Sequence, residues 1–242
     1  MTARSLRVSL LPWICLGAAV AAPSVRAEAE TNRGGNRQFT PEFDAYVKLS
    51  DQARLFFLAD VTRSTPQDST DGEVGIHFDY TLKPLLRTQL RDADWERERY
   101  LWVRVGYRHQ WNIEGNSSAA AENRIVLEAT ARSELANEVW LVNRAHVDLR
   151  DVGGTRSTRY RYRIGVEREF TTSGGTVLVP YARAEFYYEP RYHGWNRRVY
   201  QLGAEIELSK SWRFESYVGL QKNTQPASDT VMQLGLVLKY YR

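Results

Sequence analysis

The sequence predicts an all-β fold, a transmembrane antiparallel up-and-down β-barrel of about twelve strands with ten as the smaller alternative, and three observations carry it. Apolar and polar residues alternate at period two through most of the chain, as strands with one apolar face require. The alternating segments are about 10–14 residues long, which at ~3.3 Å per residue and a ~40° tilt spans an apolar band ~25 Å tall. Short and long connections alternate in the second half of the chain, so short periplasmic turns and longer outer loops gather at opposite ends of the sheet.

Composition agrees. Of 242 residues, 43% are hydrophobic and 26% charged, and beyond the N-terminus no apolar run reaches the ~18 residues of a membrane helix. A helical membrane protein and a disordered polyelectrolyte are both excluded. Aromatics make up 12%, with Tyr 14 ahead of Phe 8 and Trp 7, a bias towards rings that suit strands and interfaces.

Residues 1–27 read as an export signal, because Arg4 and Arg7 precede the apolar stretch Val8 to Ala22 and Val25-Arg26-Ala27 offers cleavage near Ala27. Losing this segment removes three arginines and no acid, so the net charge falls from +4 to +1. It also removes Cys15, the single cysteine, whose bulky neighbour Ile14 argues against lipid attachment. Residues 28–39 form an N-terminal segment and 40–242 the barrel. There Phe43, Ala45, Val47 and Leu49 alternate with Asp44, Tyr46 and Lys48, and Leu55, Phe57, Ala59 and Val61 repeat the pattern. Val74 to Tyr80 and Leu101 to Tyr107 follow, opposed by Glu73, His77, Asp79, Arg104 and Arg108. Seven further segments fall near 122–134, 137–150, 157–170, 176–189, 197–209, 211–223 and 230–241. In the last, Met232, Leu234, Leu236, Leu238 and Tyr240 form one face and Gln233, Gly235, Val237, Lys239 and Tyr241 the other. Eleven segments result, and bacterial barrels favour even numbers, so a further strand is expected within Arg33–Thr40 or Lys83–Asp94. Pro84 and the charges through Glu96 break the alternation, as a short periplasmic helix or an extended hairpin would.

A soluble lipocalin-like barrel binding a small apolar ligand also alternates, with its apolar face inward. The rings discriminate. In the up-down order Tyr80, Tyr100, Trp212 and Tyr240 fall at the short-turn ends, and Trp111, Tyr188, Trp195 and Tyr200 at the long-loop ends, giving the two belts that lipid headgroups favour.

Arg159-Tyr160-Arg161-Tyr162-Arg163, then Pro180 through Arg183 and Glu185 to Glu189, then Arg197, Gly203 and Leu208-Ser209, then Tyr217 and Gln221, resemble a family of bacterial outer-membrane β-barrels known only as a domain of unknown function. The resemblance covers about residues 40–241 and most strongly 120–241; it implies fold and location and carries no site. A fainter similarity is to the oligogalacturonate-specific porins, which line their lumen with arginines.

Strand phase turns Arg54, Arg104, Arg108, Arg124, Arg132, Arg144, Arg150, Arg159, Arg161, Arg163, Arg183, Arg197 and Arg213 inward. Asp60, Glu73, Asp79, Glu128, Asp148, Glu167, Glu169, Glu185, Glu205, Glu207 and Glu215 join them. One reading is a lumen filled by ion pairs that hold neighbouring strands in register; the other is a narrow pore whose arginines attract small acidic solutes. Arg159, Arg161 and Arg163 form a same-face ladder, neutralised by Glu185, Glu205 or Glu207 or by mobile anions.

No enzyme is expected, because none of His77, His109, His146 and His193 has Ser two residues away to activate. His146 and Asp148 share a face and are the one candidate for an outer-membrane hydrolase, activating water without a second acidic pair. No cofactor, metal or nucleic-acid partner is expected. The expected location is the cell outer membrane of a Gram-negative bacterium, with lipids and lipopolysaccharide around the wall and the barrel-assembly machinery as a partner.

Overall fold

The computed structural model describes residues 36–65, 68–82, 101–114, 121–135, 138–225 and 229–242. The export signal, the 83–96 segment and Tyr100 lie outside the described residues. Twelve strands are β1 (Asn36–Lys48), β2 (Ala53–Thr65), β3 (Ser69–Thr81), β4 (Leu101–Glu114), β5 (Glu122–Glu134), β6 (Val139–Val152), β7 (Thr155–Arg168), β8 (Phe170–Thr171), β9 (Val177–Glu189), β10 (Gly194–Ser209), β11 (Trp212–Asn223) and β12 (Asp229–Tyr241). The sheet closes on itself, because β10 pairs with both β9 and β11. Eleven long strands make the wall, and the two-residue β8 only borders β9.

Of the two places expected for a further strand, Lys83–Asp94 lies outside the described residues and Arg33–Thr40 holds no separate strand among them. Residues from Asn36 on belong to β1 itself, which moves the start of the wall ahead of residue 40. β3 and β4 pair directly from Thr70↔Glu114 to Thr81↔Trp102, leaving no place in the wall for a strand from 83–94. An odd wall cannot close with antiparallel pairs alone. β1 and β12 accordingly run parallel, from Asn36↔Val231 to Tyr46↔Tyr241, where a fully antiparallel barrel was expected. Arg242 extends this seam, its N–H donating to the Tyr46 carbonyl at 2.9 Å and its own carbonyl accepting from the Lys48 N–H at 2.8 Å.

Local chemistry explains the joints. Gly153 and Gly154, at φ 56 and 86, supply the two left-handed residues that a tight β6–β7 hairpin needs. Pro41 lacks an N–H, and the β1–β2 pairing is interrupted there, between Phe39↔Arg63 and Glu42↔Asp60. Pro180 likewise follows the last β7–β9 pair, Glu167↔Tyr181, after which β8 takes over at Leu178 and Val177. β10 begins three residues ahead of the expected segment, which shortens its connection to β9.

The wall is inverted relative to a soluble barrel. Among the described residues, buried polar or charged side chains outnumber buried hydrophobic ones by 24 to 10, while Phe39, Val105, Leu202, Val218, Met232 and many other large apolar side chains stand exposed. A lipocalin-like interior is thereby excluded. Rings gather at both rims of this apolar surface: Trp212 packs on Tyr240 at 4.8 Å and Phe43 at 6.3 Å at one end, and Trp195 on Tyr188 at 5.6 Å at the other. Tyr80, Trp111 and Tyr200 also lie on the outer face; Trp111 covers Gly72, where a Cβ would collide with the indole.

Candidate functional site

The lumen is built from the bottom by a packed layer. Tyr46 stacks between Phe56 at 4.7 Å and Tyr241 at 4.8 Å, and Phe56 stacks on His77 at 4.9 Å. Arg54 lies 4.2 Å over the Tyr46 ring and Arg104 4.2 Å over Phe56, so two cations cap two π-faces. Both guanidinium groups then donate to the fully buried Asp79, Arg54 Nε at 2.8 Å and Arg104 Nε at 2.6 Å. This layer occupies the end of the barrel where the chain terminates. Gly106 makes room for it, since a Cβ there would overlap the His77 ring.

At the other end Arg150 grips Glu122 with bonds of 2.6 and 2.8 Å and reaches Glu189 at 3.1 Å. Between the two ends lies a cavity of about 380 Å³. One flank holds Glu73 between Arg108 (3.0 Å) and Arg124. Nearby, His146 sits with Nδ1 3.2 Å from Glu128 and Nε2 2.7 Å from Asp148, and Arg161 touches both the imidazole and Asp148. His146 is 5% exposed. Each ring nitrogen already has a carboxylate partner, an arrangement that fixes the ring and leaves neither nitrogen open to a water molecule.

The arginine ladder is neutralised within the wall. Arg159 pairs with Asp148 at 2.8 Å, Arg161 with Asp148 at 3.1 Å and Glu185 at 3.8 Å, and Arg163 with Glu185 at 2.9 Å. Of the expected partners only Glu185 takes part. Glu205 pairs instead with Arg213 at 3.4 Å and Lys239 at 2.7 Å, and Glu207 lies half-buried at the rim beside Arg213. Asp148 is the partner that the sequence reading did not assign, because its register opposite Arg159 depends on the β6–β7 hairpin.

Arg163, although paired with Glu185, is one of three lumenal guanidinium groups that stay partly exposed. Arg144 on β6 stands directly opposite Arg163 on β7, and Arg183 on β9 is opposite Gly165, one step along the same face. Their side chains are 28%, 21% and 25% exposed, against 2% for Arg54 and 12% for Arg161. Arg144 meets Glu128 only at 3.4 Å and Arg183 meets Glu215 at 3.3 Å. Like charges directly opposite on neighbouring strands destabilise a sheet, and Glu128 and Glu185 offset the Arg144–Arg163 pair.

Comparison with known proteins adds one likeness. No protein-family model and no curated protein matches the sequence, so the resemblances to the uncharacterised barrel family and to the oligogalacturonate porins stand without a family match. Among solved structures the chain is similar to the β domain of the Bordetella autotransporter BrkA, with 17% identity, a TM-score of 0.47, and coverage of 76% of this chain and 82% of that one. The barrel assignment rests on the closed sheet and inverted faces described above, which are of the outer-membrane type.

Of the residues expected to line a pore, Arg104, Arg108, Arg124, Arg132, Arg144, Arg161, Arg163, Arg183, Glu185, Glu205 and Arg213 border the cavity. Arg159, Arg197 and Glu207 do not. Arg159 is buried in its ion pair, and Arg197 donates to Asn223 at 3.0 Å and lies 5.2 Å over the Tyr187 ring. Glu42, Asp44 and Lys239 border the cavity too and were not singled out. Asp44 is already on the polar face of the first alternating segment, and extending that alternation one residue back from Phe43 finds Glu42. Among the described residues the lining comprises ten Arg or Lys side chains and nine carboxylates, so the cavity as a whole carries no bulk excess of positive charge.

Proposed function

We propose that the protein is an outer-membrane barrel whose lumen receives small acidic solutes at Arg144, Arg163 and Arg183. The observation that carries this reading is the placement of three partly exposed guanidinium groups on adjacent strands around the central cavity. Guanidinium groups bind carboxylates through paired hydrogen bonds, and low-dielectric surroundings strengthen each one. The apolar outer face and its two aromatic rims support a location in lipid, with lipopolysaccharide and phospholipid as the surrounding partners and the barrel-assembly machinery needed for insertion. The enclosure of His146 by Glu128, Asp148 and Arg161 supports a non-enzymatic role over the hydrolase alternative.

The packed Tyr46–Phe56–Tyr241 layer favours a binding chamber or a narrow passage over a wide channel. Calorimetric titration of the detergent-solubilised protein with succinate is expected to show binding that Arg144→Gln weakens by about tenfold, the effect of losing one charge-assisted hydrogen bond. Planar-bilayer recordings then separate passage from storage: anion-biased current means a pore, and bound succinate without current means a chamber. Neither binding nor current would leave a structural barrel and overturn the proposal.

A further inference from the structure

Across the cavity from the three arginines stands a second set of charges. Glu42 on β1 and Asp60 on β2 are direct cross-strand neighbours, and Asp44 lies two residues along from Glu42 on the same face. All three border the same cavity as Arg144, Arg163 and Arg183. Around the eleven-strand wall, β7 is five strands from β2 in one direction and five from β1 in the other, so the two sets face each other across the lumen. Neither Glu42 nor Asp60 forms an ion pair among the described residues. Arg108, which borders the same cavity, is occupied by Glu73 at 3.0 Å and His77 at 3.0 Å. Pro41 helps to keep the acids together, because the pairing it interrupts resumes at Glu42↔Asp60 itself.

Two like carboxylates placed side by side are costly, as are two like guanidinium groups; Glu128 and Glu185 offset the guanidinium pair, whereas the Glu42–Asp60 pair has no such partner among the described residues and favours a cation beside it. Low-dielectric walls keep the resulting field directed across the lumen. A simple anion satisfies only one wall and is repelled by the other. From this we infer that the lumen takes small dipolar solutes, molecules with a carboxylate at one end for Arg144, Arg163 and Arg183 and an ammonium at the other for Glu42, Asp44 and Asp60. The inference rests on the acidic-solute reading and narrows its substrate class.

Three probes of equal chain length test it by calorimetry on the detergent-solubilised protein: 4-aminobutyrate with both charges, butyrate with the anion alone, and butylammonium with the cation alone. The expected result is that 4-aminobutyrate binds at least tenfold more tightly than either of the others. Asp60→Asn and, separately, Glu42→Gln should bring the 4-aminobutyrate to butyrate affinity ratio down towards one, while Arg144→Gln weakens 4-aminobutyrate in its own right. Both acid positions lie outside the ion-pair network of the wall, and thermal unfolding of each variant verifies that the barrel is intact. Equal affinity for butyrate and 4-aminobutyrate in the unmodified protein overturns the dipolar assignment, as does a ratio that neither acid substitution changes. If succinate binds and none of the three probes does, the dipolar inference fails alone; if succinate fails as well, the acidic-solute reading falls with it.

Discussion

Asp79 shows what a single residue does in an inverted barrel. It is fully buried and receives both Arg54 and Arg104, each of which also covers an aromatic ring, so one carboxylate fixes four side chains of the packed layer. Asp79→Asn keeps the volume and removes the charge, stranding two buried guanidinium groups. The expected loss is about 3–5 kcal/mol, the range for breaking a buried ionic network by removing one partner. It should appear as a lower temperature for converting the folded gel band to the unfolded one, and an unchanged temperature would mean that water reaches this layer. Gly235 belongs to the same scale. The Tyr217 ring lies over it, where any Cβ would collide, so an apparent gap in the inward face of the last strand is filled from its neighbour.

For elements, the strand face decides the outcome of a substitution. Leu236 points outward from β12, whereas Gln233 points inward and donates to Gln38 and Gln221, each at 3.1 Å. Leu236→Arg should cost about 2–4 kcal/mol near the middle of a bilayer and reduce the folded fraction on refolding into liposomes. Gln233→Arg should be milder, because its charge enters a lumen already lined by acids and bases. Equal effects would show the face assignment of β12 to be wrong. Prolines shape elements as well: Pro41 and Pro180 each sit where a ladder between neighbouring strands breaks, so both strands keep their residues in extended conformation while losing local pairing.

The whole molecule is defined by its seam. Eleven wall strands force β1 and β12 to pair in parallel, with Gln38 opposite Gln233 and their side chains hydrogen-bonded. In a Cys15→Ala background, Gln38→Cys with Gln233→Cys is expected to form a disulfide on mild oxidation and to shift the mobility of the unfolded band. The control pair Gln38→Cys with Gln221→Cys, one strand further away, should not cross-link. Cross-linking of the control in place of the designed pair would place a different strand beside β1 and exclude this closure.

While the preference for an even count moved the expected number from eleven to twelve, the period-two alternation by itself determined that the chain is a run of strands and which face of each is apolar. It located eleven segments and the inward phase of nearly all the charged residues, because alternation is a local property written in neighbouring residues. The alternation was followed only from Phe43, so the start of β1 and with it Glu42 were missed. Only the tertiary structure decided that the odd count closes through a parallel pair, that Asp148 and not Glu205 neutralises Arg159 and Arg161, and that Arg144, Arg163 and Arg183 stay partly exposed to the cavity beside their carboxylate partners. Those outcomes depend on register and on the stagger accumulated around a closed wall, which bring together residues far apart in the chain.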